Sequence, residues 1–106
     1  MKFRVVFSPE AEEQLADLYR YIAAATSPGI AERYVNAIIG YCETLVTFPL
    51  RGAQRDDIRP GLRINNYKGR TVIAFAVDTR QVSIIGVFYG GQDYETALQD
   101  DLEGEI

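Results

Sequence analysis

The sequence predicts an α+β domain of one strand, a helical hairpin and three further strands, with the hairpin packed on one face of an antiparallel sheet. Three observations predict it. Residues 2–7 alternate between two faces, as a half-buried strand does. Two segments opening on Ser8-Pro9 and Ser27-Pro28 carry apolar residues at helical spacing. Residues 71–77 and 82–89 are apolar on both alternations, the pattern of strands covered on two faces.

The first strand sets Phe3, Val5 and Phe7 on one face and Lys2, Arg4 and Val6 on the other. Ser8 then caps a helix, Pro9 suits its first position, and Glu10, Glu12 and Glu13 suit the positive end of its dipole. Ala11, Leu15, Leu18, Ile22 and Ala25 form its stripe, in steps of four and three. Residues 26–29 break the chain and start a second helix with the same device. Its stripe is Ala31, Tyr34, Ile38, Tyr41, Leu45 and Phe48, widened by Val35, Ile39 and Cys42 toward the sheet. Pro49 ends it.

Residues 50–61 form the one long irregular segment, polar and charged, with Ile58 as its main apolar residue. Residues 62–67 return to alternation, and Tyr67-Lys68-Gly69 turns into the central hairpin. There Thr71, Ile73, Phe75 and Val77 oppose Val72, Ala74 and Ala76. After the turn at residues 78–81, strict alternation groups Val82, Ile84 and Phe88 against Ile85, Val87 and Tyr89. Counting reversals, the first strand runs opposite to the second. One sheet face takes the helices; the apolar residues of the other are filled in by the tail or left for a partner.

The 106 residues are read as one domain over residues 1–98 and an acidic, flexible tail over 99–106, where like charges and few apolar groups do not offset the entropy of ordering. The net charge is −4, yet residues 93–106 hold six acids and no base, so residues 1–92 carry eleven bases against nine acids. No apolar run reaches membrane-span length and no signal-peptide pattern opens the chain, so a cytoplasmic, membrane-free protein is expected. A lone cysteine, Cys42, rules out an internal disulfide and reads as a buried, inert thiol. The absence of histidine removes Ser-His and Cys-His nucleophilic pairs, the usual base near neutral pH and most zinc sites. No metal or other cofactor is expected.

Several stretches together resemble the ParE branch of the ParE/RelE toxin superfamily of bacterial type II toxin–antitoxin modules. They are FSPEAEEQLADLYRYI (7–22), FPLRG (48–52), DIRPGLR (57–63), GRTVIAFAVD (69–78) and VSIIGVFYGGQDYETAL (82–98). The resemblance implies the same RelE/ParE-like strand–helix–helix–three-strand fold. It implies a toxin neutralised by a cognate ParD-like, ribbon-helix-helix antitoxin, and no sequence-specific DNA binding by this chain. Characterised ParE-type members act on DNA gyrase, whereas RelE-type relatives cleave ribosome-bound messenger RNA.

Ribonuclease chemistry needs a base, an acid and a stabiliser of phosphorane charge. The matching positions are Arg63, Arg70 and Tyr89; no histidine is present, and no Glu or Lys falls on the three late strands. A chain at −4 with an acidic tail is also poorly suited to a polyanion. A non-enzymatic gyrase-binding toxin is therefore expected, with a RelE-type ribonuclease, or an inactive homologue that only binds a partner, as alternatives. Leu15, Tyr19 and Tyr21 are the expected antitoxin dock, and Arg51, Arg55, Arg59, Arg63 and Arg70 the expected basic patch for target or antitoxin. Each has a plainer reading: the arginines as solvated edge residues or loop clamps on Asp56 and Asp57, the tyrosines as wet-rimmed core.

Overall fold

A computed structural model describes residues 4–103; Lys2 and Phe3 of the first strand and residues 104–106 of the tail lie outside the described residues. The elements are β1 (Arg4–Phe7), α1 (Pro9–Ala25), α2 (Pro28–Glu43), a 3-10 turn (Thr44–Val46), β2 (Ala53–Gln54), β3 (Leu62–Tyr67), β4 (Thr71–Val77), β5 (Gln81–Tyr89) and α3 (Tyr94–Glu103). The strands form one sheet in the order β1-β5-β4-β3-β2. The expected α+β class, with a helical hairpin on a sheet built around β4 and β5, is the one observed. No described helix is long and apolar enough to cross a membrane.

The direction of the first strand differs from expectation. β1 runs parallel to β5, and therefore in the same sense as β3. The reversal count missed β2, which pairs antiparallel with β3 inside the supposed irregular segment. A two-residue strand has no periodicity to read, yet it reverses the chain once more.

Both long helices start as their residues dictate. The Ser8 hydroxyl accepts from the Ala11 amide at 3.0 Å, and the Ser27 hydroxyl from the Ile30 amide at 3.2 Å. The first stripe buries Ala11, Leu15, Leu18 and Ile22, while Ala25 is exposed. The second buries Ala31, Ile38 and Cys42, with Leu45 in the following 3-10 turn. Phe48 does not continue it: the tighter turn changes the phase after Glu43, and Phe48 is 56 % exposed. Burial pushes the Cys42 thiol up to about 12, so it stays protonated.

β5 does not keep strict alternation. Phe75 pairs with Ile84 but Ala74 pairs with Gly86, so Ile85 is an extra residue, a β-bulge. The bulge moves Val87 and Tyr89 onto the helix face beside Val82 and Ile84, and leaves Phe88 on the opposite face. The backbone groups it disturbs are answered from α1 and its cap. The Ser8 hydroxyl donates to the Ile85 carbonyl at 3.0 Å, and the Val87 amide donates to Gln14 Oε1 at 2.7 Å.

The second sheet face carries its own core, in which Ile58, Leu62, Ala74, Phe88 and Leu98 are buried together. α3 provides the cover. Asp93 caps it, accepting from the Thr96 amide at 3.1 Å and hydroxyl at 2.7 Å, which holds the Asp93 carboxyl below its ordinary range. Arg59 donates to the Leu98 carbonyl at 3.1 Å, and Arg55 bonds Glu95 and, at 3.3 Å, the Tyr94 hydroxyl. The helix continues past Leu98, where the tail was expected to begin, as far as Glu103.

Three stability measurements follow from this packing. Ser8→Ala removes a helix cap and a long-range bond to the bulge, and urea unfolding is expected to show a loss of about 1–2 kcal/mol. Ser27→Ala removes an exposed cap alone, and a smaller loss, about 0.5–1 kcal/mol, is expected. Leu98→Ala opens the second core and is expected to cost about 2–4 kcal/mol; a loss below about 0.5 kcal/mol would mean that α3 adds nothing to the fold.

Candidate functional site

The hydrogen-bond register sets Tyr67, Thr71 and Tyr89 side by side across three strands, at one end of the sheet and beneath the helical hairpin. Thr71 is fully buried, and its hydroxyl meets the Tyr34 hydroxyl of α2 at 2.9 Å. The Tyr34 ring meets Tyr89 edge-on, with centroids 5.8 Å apart, and Tyr21 of α1 lies on the outer side of Tyr89 at 6.2 Å. Tyr89 is thus held between two helices, half-buried and with its rim open.

Beside it opens a groove lined by Gln14, Asp17, Tyr21, Arg70, Tyr89 and Gln92 among others. Arg70 reaches it from the end of the β3–β4 turn, whose backbone is fixed by the Gly90 amide donating to the Arg70 carbonyl at 3.0 Å. Gly90 and Gly91 take φ of 69° and 84°, left-handed values that suit glycine, and turn the chain sharply so that Gln92 Oε1 accepts from the Tyr89 amide at 2.8 Å. Asp17 is paired with Arg20, so Arg70 has no carboxylate partner among the described residues. One unpaired cation, two phenols and two amides can hold an anionic or polar group of a partner.

Of the expected site residues, Tyr21, Arg70 and Tyr89 meet here. Arg63 does not. Its guanidinium donates to the carbonyls of Leu50 at 2.6 Å, Arg51 at 3.0 Å and Gly52 at 3.5 Å. It lies four residues back along β3 from Tyr67, about 13 Å along the strand. This clamp gives the FPLRG stretch a structural meaning. Gly52 has φ 78°, and a Cβ there would stand 2.3 Å from the Ile64 carbonyl oxygen, so only glycine lets the loop approach β3.

The other arginines of the expected patch part company. Arg55 bonds Asp57 through two nitrogens, at 3.0 and 2.9 Å, and also Glu95; the bonds from Arg55 hold the Asp57 carboxyl below the usual carboxylate range. Arg59 holds the α3 backbone, while Asp56 accepts from the Gly61 amide at 2.8 Å and pairs with no arginine. Arg51 lies over the rings of Phe48 and Tyr41, at 4.9 and 5.6 Å. Of the three dock residues, Leu15 is only 7 % exposed and belongs to the core, Tyr19 packs partly buried against that core, and Tyr21 is 63 % exposed.

Sequence reasoning missed Gln14, Asp17 and Gln92 in the groove. Gln14 and Asp17 were readable as polar residues of α1 flanking Leu18; Gln92 depends on the reversal at the two glycines, which no local pattern reveals.

A family model described as the ParE toxin of type II toxin-antitoxin system, parDE, matches residues 5–94. Among solved structures, a chain of the chromosomal ParDE TA system from P. aeruginosa superposes with a TM-score of 0.72 at 19 % identity, covering 83 % of this chain and 96 % of that one. A chain of the RelBE2 toxin-antitoxin complex from Mycobacterium tuberculosis gives a TM-score of 0.61 at 18 % identity, covering 84 % and 99 %. No curated protein sequence matches significantly. At these identities the solved structures establish the fold, and the family match spans most of the chain. The chain belongs to the ParE toxin family of type II toxin–antitoxin systems.

Proposed function

We propose that this toxin acts without covalent chemistry, by binding DNA gyrase, and that a ParD-like antitoxin neutralises it by direct contact. The observation that carries the reading is the separation of Arg63 from Arg70 and Tyr89. A ribonuclease of RelE type would draw its charge stabiliser and its acid to one phosphate. Here Arg63 is engaged by three loop carbonyls at a distance from the Tyr89 groove. Membership among ParE toxins, whose characterised members act on gyrase, supports the target. The solved relatives named for ParDE and RelBE2 systems support an antitoxin partner.

The exposed ring of Tyr21 and Arg70, which has no carboxylate partner among the described residues, give the antitoxin a place to dock, an aromatic anchor beside a cation. Leu15 supports that surface from beneath rather than contributing contact area.

The second reading, ribosome-dependent cleavage of messenger RNA, draws on one observation: Arg70 and Tyr89 do share a groove. Inducing the chain in cells without the antitoxin separates the readings. Broken DNA with intact transcripts is expected; truncated transcripts would establish the ribonuclease, and neither effect would indicate an inactive binding module. Tyr89→Phe keeps the ring and removes the proton. Its toxicity is expected to stay within about threefold of the parent, whereas loss of an acid would lower cleavage about 100-fold or more. Tyr21→Ala is expected to weaken antitoxin binding, measured by calorimetry, by about tenfold or more with the melting temperature unchanged.

A further inference from the structure

A second surface lies along the β2–β3 side of the aromatic row. It is a ladder in which rings and cations are stacked in sequence: Phe48, Arg51, Tyr41, Tyr67 and Lys68. The Arg51 guanidinium lies 4.9 Å from the centroid of Phe48 and 5.6 Å from that of Tyr41. Tyr41 and Tyr67 are 4.8 Å apart, and the Lys68 ammonium lies 5.6 Å over Tyr67. We propose that this ladder is a docking surface for an acidic peptide segment bearing aliphatic or aromatic side chains, contributed by a partner protein. The proposal goes beyond the preceding reading, since it holds whichever macromolecule meets the Tyr89 groove.

Charge complementarity selects the occupant. Neither Arg51 nor Lys68 forms an ion pair among the described residues, although the chain carries more acids than bases. Two cations without an ion pair among the described residues, one between Phe48 and Tyr41 and one over Tyr67, attract two or more acids spaced along an extended segment. Apolar contact is offered as well: Phe48 is 56 % and Leu50 70 % exposed, both next to Arg51. The surface is also preorganised. Arg63 fixes the carbonyls of Leu50, Arg51 and Gly52, and Asn65 Nδ2 donates to the Tyr41 hydroxyl. Lys68 is held at φ 54°, the one described non-glycine residue at positive φ, in a conformation that glycine would adopt more easily. That strain is kept where it sets an ammonium over a ring.

A nucleic acid fits less well. Its bases need free ring faces for stacking, and here cations already cover faces of Phe48, Tyr41 and Tyr67. The net charge of −4 also repels a polyanion more than it does a short acidic segment.

The test uses the purified full chain and a fluorescein-labelled peptide of repeating aspartate–glutamate–leucine triplets, followed by anisotropy. Binding that weakens with salt is expected. Arg51→Glu combined with Lys68→Glu, and separately Phe48→Ser, are expected to weaken it about tenfold or more. Arg80→Glu, in the turn at the far end of the sheet, is expected to leave it unchanged. Lys68→Gly relieves the positive φ while removing the charge, so its fold is secure and an affinity loss of about threefold or more is expected. Circular dichroism verifies that each variant is folded. Absence of peptide binding, affinity indifferent to the ladder variants, or stronger binding of an oligouridylate than of the peptide would each overturn the proposal.

Discussion

Two adjacent strands that are apolar on both faces force the architecture of this toxin. β4 and β5 lie at the centre of the sheet, and neither face of the pair tolerates water. A chain of 106 residues must therefore cover a sheet twice. It does so unequally. The helical hairpin supplies the larger core with Leu15, Leu18, Ile22, Ile38 and Leu45, while the second face receives Ile58 and a single helix that buries Leu98. That helix is tied by charged side chains of the loop before β3: Arg55 and Arg59, two of the five arginines of the expected patch, fasten the loop to α3.

The bulge in β5 links this double coverage to the site. It places Val87 and Tyr89 under the helices and sends Phe88 to the other core, so one extra residue lets the last turn of the strand serve both faces. Ser8 joins three roles in one side chain and its amide: it caps α1, bonds the bulge, and donates its amide to the Ile84 carbonyl at 3.0 Å. Through it, the start of α1 and the end of β5 are held in one frame, and the Tyr21–Tyr89 pair takes its position from that frame.

Much of the fold was legible because it rests on local physics. The two Ser-Pro starts, the helical stripes and the β3–β5 strands need only a few neighbouring residues to be recognised. The bulge was hidden because Ile84 to Phe88 is apolar on either phase apart from Gly86, so alternation cannot register a one-residue slip. β2 is too short to carry a period, and its omission reversed the inferred sense of β1. At the site, Tyr21, Arg70 and Tyr89 were picked one by one from the sequence, but that they meet follows from register. Residue type marks Arg63 as a phosphate ligand only on the ribonuclease alternative, and what it bonds depends on carbonyls eleven to thirteen residues away, which no local pattern reveals.

The dependence of the central strands on their second cover is open to direct measurement. Native-state hydrogen exchange on the full chain, compared with a chain ending at Asp93, follows each β4 and β5 amide. Loss of α3 strips cover from Phe88, Ala74 and Leu62, so protection is expected to collapse along both strands, together with binding of a hydrophobic dye. Unchanged protection in the shortened chain would contradict it, and would mean that the helical hairpin alone sustains the sheet.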